Sequence, residues 1–86
     1  MTDYDFDPAK DEANFEAHGL RLSGFAGFDA DPTVVVDRRF DYGEPRFRAY
    51  GRIEGKGYCL VYTERESGPR LISFRRAHEK EMRRYE

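Results

Sequence analysis

Three arginines and a ring interleave between residues 46 and 52: Arg46, Arg48, Tyr50 and Arg52 fall on one face of an alternating segment. Guanidinium forks match phosphate oxygens and a phenol ring offers a surface on which an unpaired base can stack, so this is the composition of a single-strand or RNA reader. Alternation alone would equally produce an edge strand guarded by charge. Two further runs, Glu64-Arg65 and Arg75-Arg76, fall at or just past the ends of neighbouring antiparallel strands, where carboxylate and guanidinium groups would converge on one sheet rim. Plain cross-strand salt bridges are the competing explanation. Cleaving RNA without a metal requires a base for the 2′-hydroxyl, positive charge for the pentavalent phosphorane and an acid for the leaving 5′-oxygen. Glu64 or His18 could act as the base, Arg65 and Arg75 could stabilise the phosphorane, and His78, Lys10 or Tyr85 could supply the proton. His18 before Gly19 also suits a capping role, and His78 a helix start.

The elements that must hold these groups follow from local chemistry. Tyr4 and Phe6 alternate with acids as in a short strand, and Asp7-Pro8 supplies an N-cap and a first-turn proline. A helix over Pro8 to His18 is predicted, closed by Gly19, with an alanine stripe at Ala9, Ala13 and Ala17. Lys10, Asn14 and His18 align along a neighbouring face of that helix. Ser23 to Phe28 reads as a short helix weakened by Gly24 and Gly27, and Thr33 to Val36 as a strand by its β-branched run. After a polar connection from Asp37 to Pro45 containing Tyr42-Gly43, three strands are expected: Arg46 to Ile53, Tyr58 to Arg65 and Arg70 to Arg75. Gly55-Lys56-Gly57 and Gly68-Pro69 are the expected turns of this meander. Ala77 to Glu86 completes the chain as a charged helix.

At 86 residues the chain predicts one domain. Ile, Leu and Val number 10 against 13 Phe and Tyr, so the core must be built largely on rings. Tyr58 and Tyr62 share a face as core rings, and Cys59 on the opposite face reads as buried filler. One cysteine and two histidines exclude an internal disulfide and a Cys/His zinc site, so neither metal nor cofactor is expected. No apolar run is long enough for a membrane span, and the acidic start from Met1 to Asp7 lacks the features of a signal peptide, so a cytoplasmic protein is expected. The net charge of −2 conceals −6 up to Gly43 and +4 after it, which suggests a polyanion-facing surface on the second half. The acidic first half could meet a basic protein partner.

Taken together, these motifs resemble the BrnT family of type II toxins within the RelE-like group of small ribonucleases. The resemblance rests on Phe6-Asp7-Pro8-Ala9-Lys10, Asn14 and His18-Gly19, then on Arg46-Phe47-Arg48-Ala49-Tyr50-Gly51-Arg52. It continues through Val61-Tyr62-Thr63-Glu64-Arg65 and Arg70 to Ala77, and ends in Glu81 with Arg83-Arg84-Tyr85-Glu86. Ala17 stands where a basic residue is usual, Tyr50 where an aliphatic is usual, and Phe74 where a smaller residue is common. The resemblance implies an α+β, RelE-like fold: a small antiparallel meander with an N-terminal helical segment and a C-terminal helix. It also implies an endoribonuclease that arrests growth, neutralised by a BrnA-like antitoxin in a heteromeric complex that meets operator DNA only through the antitoxin. Glu64, Arg65, Arg75, Lys10 and His18 become the implied catalytic set, and Arg46, Arg48, Tyr50, Arg52 and Arg76 the implied RNA-binding set. Two alternatives remain: a non-catalytic module that binds RNA or protein on the same fold, and a structural domain whose sheet arginines are all paired with Asp or Glu.

Overall fold

The computed structural model describes residues 4–39, 41 and 43–86; Tyr42 of the expected polar connection and Met1 to Asp3 of the acidic start lie outside them. Asp7 starts the first helix through a side-chain oxygen that accepts the Ala9 N–H at 2.9 Å, and Gly19 ends it at φ 72°. Helix α1 thus spans Pro8–His18, as its caps predict. Its docking face, however, is not the alanine stripe. Ala9, Ala13 and Ala17 are exposed, and the buried positions are Asp11 and Asn14. Alanines offer little area to bury, and polar bonds fasten this helix instead. The Asp11 carboxylate accepts the Ser23 N–H at 3.2 Å and the Ser23 hydroxyl at 3.3 Å. Asn14 reaches across to the sheet.

A single 3₁₀ turn at Leu22–Gly24 replaces the helix expected over Ser23 to Phe28. Gly27 takes φ 114°, which ends any helical path, and Phe25 and Phe28 turn inward. The Phe25 ring lies 5.1 Å from Tyr4, 5.1 Å from Phe28 and 5.2 Å from Phe74. These rings form the centre of the first core with Leu22, Ala49, Leu60 and Leu71, as the ring-rich composition requires.

Five strands form one sheet in the order β1-β5-β4-β3-β2: β1 Asp5–Phe6, β2 Thr33–Val36, β3 Phe47–Ile53, β4 Lys56–Arg65 and β5 Gly68–Arg76. Strands β3 to β5 are the expected antiparallel meander, β2 joins it antiparallel to β3, and β1 runs parallel to β5, so the sheet is mixed. Both hairpin turns fall earlier than their glycines suggest. Ile53 pairs with Lys56 across Glu54-Gly55, whose φ values of 52° and 80° are those of a two-residue type I′ turn. Arg65 pairs with Gly68 across Glu66-Ser67, which puts Gly68 and Pro69 inside β5. Gly57, freed from the turn, lies beneath helix α2 (Glu79–Tyr85), and a Cβ there would collide with the Met82 side chain.

Strand β5 carries an irregularity with large consequences. Val61 pairs with Ser73 and Tyr62 with Leu71, which leaves one β5 residue over, a β-bulge. Leu71 and Phe74, three apart, therefore share the first core, and Ile72 packs into the second. That second core, on the opposite face, consists of Tyr50, Cys59, Val61, Ala77 and Met82 and is covered by α2. Both sheet faces are covered, one by α1 and the ring-bearing loop, the other by α2.

Candidate active site

Strand alternation places Arg48, Tyr50 and Arg52 on one face, and α2 lies over that face. Arg52 fastens the helix at both ends. Its guanidinium donates to Glu79 at 2.9 Å in the first turn and to Glu86 at 2.8 Å beyond the last, and it also bonds the Gly55 carbonyl at 2.9 Å. Its donors are consumed within the fold, so Arg52 clamps α2 and has little left for a phosphate. Tyr50 is 1% exposed, and its ring stacks on Tyr85 at 4.0 Å and 5°. The base-stacking role expected of Tyr50 is thereby corrected, because its ring is already paired and out of solvent reach.

Around that ring pair lies a connected set of charged groups. Arg75 on β5 makes a bidentate pair with Glu81 of α2, at 2.9 and 2.8 Å, and bonds the Arg76 carbonyl at 3.2 Å. The Tyr50 hydroxyl donates to Glu81 at 3.4 Å and accepts from Arg48 at 2.9 Å. Arg48 Nε lies 3.9 Å from Asp37, a buried carboxylate that also holds Arg39 at 2.8 Å. The guanidinium of Arg48 lies 5.7 Å from the centre of the Tyr85 ring.

Burial pushes the Tyr50 phenol well above its usual range. In contrast, the Arg48 guanidinium holds the Tyr85 phenol below its ordinary value. The hydrogen bonds from Arg75 hold the Glu81 carboxyl below the carboxylate norm, against the opposing effect of burial. A depressed folded-state pKa contributes stability above the unfolded value of 4.5, and that stability is lost as pH falls through the folded value. Acid titration followed by circular dichroism is therefore expected to show a wild-type advantage over Glu81→Gln at neutral pH that shrinks below about pH 4.5. A constant difference across the range would contradict it.

Beside this set an open cavity of about 370 Å³ is lined by His78, Lys80, Glu81 and Arg84. Arg75 and Glu81 keep 29% and 25% of their side chains accessible. Arg75 has committed both Nη1 protons and one on Nη2, which leaves Nε–H and one Nη2–H for an incoming oxyanion.

The remaining candidates lie elsewhere. Glu64 pairs with Pro69 near one hairpin end, whereas Arg75 pairs with Cys59 five residues back along β4, roughly 17 Å away. The expected convergence of Glu64-Arg65 with Arg75-Arg76 on one rim is corrected accordingly, because β4 is long enough to hold them apart. Arg65 pairs with Glu44 at 3.2 Å. Arg76 places its guanidinium 5.2 Å from the Tyr58 ring and bonds the Gly57 carbonyl. Lys10 and His18 are exposed on α1, and no bond joins them to Arg75. Arg46 lies half-buried just before β3. Cys59 is buried, and burial pushes its thiol up, which suits filler.

Glu81 and Asp37 are the participants that sequence reasoning did not single out. The available signal was spacing: His78, Glu81 and Tyr85 stand at i, i+3 and i+7, one stripe of a helix. Among the described residues no group of three His, Cys, Asp or Glu side chains is placed to hold a metal ion.

Comparison with protein families decides the class. The family model described as "Ribonuclease toxin, BrnT, of type II toxin-antitoxin system" matches residues 6–81. The chain belongs to the BrnT ribonuclease toxin family. It is accordingly an RNA-cleaving toxin of a type II toxin-antitoxin system, with RNA as substrate and a cognate antitoxin as partner. Comparisons with curated proteins and with solved structures found no match. Among the described residues no helix is long and apolar enough to cross a membrane. Arg48, Arg52, Arg65, Arg70 and Arg75 of the sheet lie against carboxylates, whereas Arg76 rests on the Tyr58 ring and the Gly57 carbonyl, so the complete pairing of the structural-domain alternative is matched only in part; in a ribonuclease family, such pairing fixes guanidinium geometry in advance of substrate.

Proposed function

We propose that this BrnT-family chain cuts RNA without a metal on its α2 face. Arg75 meets the scissile phosphate there, Tyr85 supplies a proton and His78 accepts one. The supporting observation is the Arg75–Glu81 pair, which holds a partly accessible guanidinium on the carboxylate that also accepts the Tyr50 hydroxyl, and the Tyr50 ring stacks on Tyr85, a phenol whose acidity Arg48 increases. In this mechanism the imidazole of His78 takes the 2′-hydroxyl proton and the 2′-oxygen attacks phosphorus. Arg75 neutralises the charge that grows on the phosphorane oxygens, and Tyr85 protonates the departing 5′-oxygen. The products are a 2′,3′-cyclic phosphate and a 5′-hydroxyl. Lys80, Arg83 and Arg84, exposed along α2, attract the flanking phosphates.

The partner in this reading is a BrnA-like antitoxin that neutralises the toxin in a heteromeric complex and carries the contacts to operator DNA. Release of the toxin from that complex would arrest growth.

The test is RNA cleavage by the purified chain in excess chelator, with end-group analysis, for wild type and Tyr85→Phe. Wild type is expected to leave cyclic phosphate ends, and Tyr85→Phe to slow cleavage about 10²-fold while the ring stack on Tyr50 keeps the fold. Cleavage that needs a divalent cation, or a variant as fast as wild type, would overturn the mechanism.

A further inference from the structure

On the side of the sheet away from α2, an open groove of about 450 Å³ has a floor of Phe28, Leu60 and Tyr62 and a wall of Val34. Its charged residues are Asp29, Asp31 and Glu64, and none of the described residues that line it is basic. Asp29 accepts the Glu54 N–H at 2.7 Å. The side chains of Asp31 and Glu64, both exposed, engage no hydrogen bond or ion pair among the described residues. The ring-lined groove therefore carries acid without internal compensation.

Strand β2 borders the groove and is an edge of the sheet, with β3 as its neighbour. The Asp37 N–H donates to the Arg46 carbonyl at 2.7 Å in the continuation of this ladder. In an antiparallel pair the inward-bonding residues alternate, so Asp37, Val35 and Thr33 face β3. Val34 and Val36 then present their N–H and C=O groups outward. Val34 and Val36 are 46% and 42% exposed. An exposed β-branched edge is a template for another strand.

We infer that an extended segment of the cognate antitoxin, alternating apolar and basic residues, adds to β2 as a sixth strand and lays its side chains into the acidic, ring-lined groove. The inference rests on the reading of the chain as an antitoxin-neutralised toxin and supplies a surface for that partner. Charge identifies the occupant. RNA would place phosphates against Asp29, Asp31 and Glu64, which repel them. A second copy of this chain would offer Thr33–Val36, a segment without a cation, and would bring two acidic rims together. A basic and apolar strand satisfies the edge, the rings and the carboxylates at once.

The experiment measures affinity of the purified toxin for its co-expressed cognate antitoxin at two salt concentrations, with RNA cleavage followed in parallel. Two variants are compared with wild type. Asp31→Lys reverses one rim charge without touching a strand. Val34→Pro removes an outward donor while sparing the β3 ladder, and its fold is checked by thermal melting. Each is expected to weaken antitoxin binding about tenfold or more, Asp31→Lys with a flatter salt dependence, while RNA cleavage in the absence of antitoxin stays at the wild-type rate. Unchanged affinity in Asp31→Lys would overturn the inference. So would a self-dimer of the toxin lost in Val34→Pro, which would make a second copy the occupant, or a raised RNA KM in either variant, which would make the groove an RNA surface. Failure of the wild type to cleave RNA would count against the proposed mechanism alone, since the affinity arm is read independently of it.

Discussion

Arg75→Ala is expected to slow RNA cleavage by about 10²–10³-fold, the loss typical when a preorganised donor to a developing oxyanion is removed, and to abolish growth arrest on induced expression. Two roles of Arg75 have to be separated, since it also anchors α2 through Glu81. Glu81→Gln separates them. That variant breaks the charge pair but leaves the guanidinium in place and the glutamine able to accept one of its bonds. If Arg75 acts on the phosphate, Glu81→Gln retains most of the activity that Arg75→Ala loses. If Arg75 matters only as a helix anchor, the two variants lose activity and melting temperature in parallel. Induced expression with total RNA followed by gel, at matched soluble protein levels, reads the first outcome; purified chains melted side by side read the second. Arg75→Ala cutting RNA at the wild-type rate would remove the α2 face from the mechanism.

Local chemistry made much of the fold legible. Asp7-Pro8 and Gly19 bound α1 because a cap and a left-handed glycine act within a few residues, whatever surrounds them. Alternation in 46–53 likewise sorted Arg48, Tyr50 and Arg52 onto one face. What covers a face is a tertiary fact that alternation does not contain. Helix α2 is seven residues long, and apart from the short-range Arg75–Glu81 pair its hold on the sheet comes from Met82 over Gly57, from the Tyr50–Tyr85 stack and from the two carboxylates on Arg52. None of these pairs is close in sequence. For that reason Tyr50 reads as an open ring in the sequence and is buried in the structure. The bulge in β5 is similarly silent, because one extra residue reverses which side chains face the core without altering composition. Glu64 and Arg75 looked like neighbours because both end strands of one hairpin, yet only residues flanking the turn are close, and Arg75 lies at the far end of β5.

Asn14 is expected to carry a large stability effect for a single polar side chain. Strand β1 pairs with β5 at Arg70 and Leu71, so among the described residues the outer edge of β5 runs on beneath α1 without a strand beside it. At Phe74 the Asn14 amide takes the place of that strand. Its Nδ2 donates to the Phe74 carbonyl at 2.8 Å, and its Oδ1 accepts the Phe74 N–H at 3.0 Å. The second Nδ2 proton goes to the Leu20 carbonyl at 2.8 Å, which ties down the chain after the helix. Asn14 is 5% exposed, so water does not readily replace these bonds. Asn14→Ala leaves three backbone groups unsatisfied and is expected to cost about 3 kcal/mol, a drop of roughly 12–24 °C in Tm for a domain of this size. Asn14→Asp keeps the acceptor for Phe74 but turns a second oxygen toward two carbonyls, so its deficit relative to wild type should be larger at pH 7 than at pH 4, where the carboxyl can protonate and donate. Urea unfolding of the three chains at both pH values reads these differences. A loss below about 1 kcal/mol in Asn14→Ala would mean that the α1 contact with β5 is held by something other than this amide, and the exposed alanine stripe leaves no apolar face to take its place.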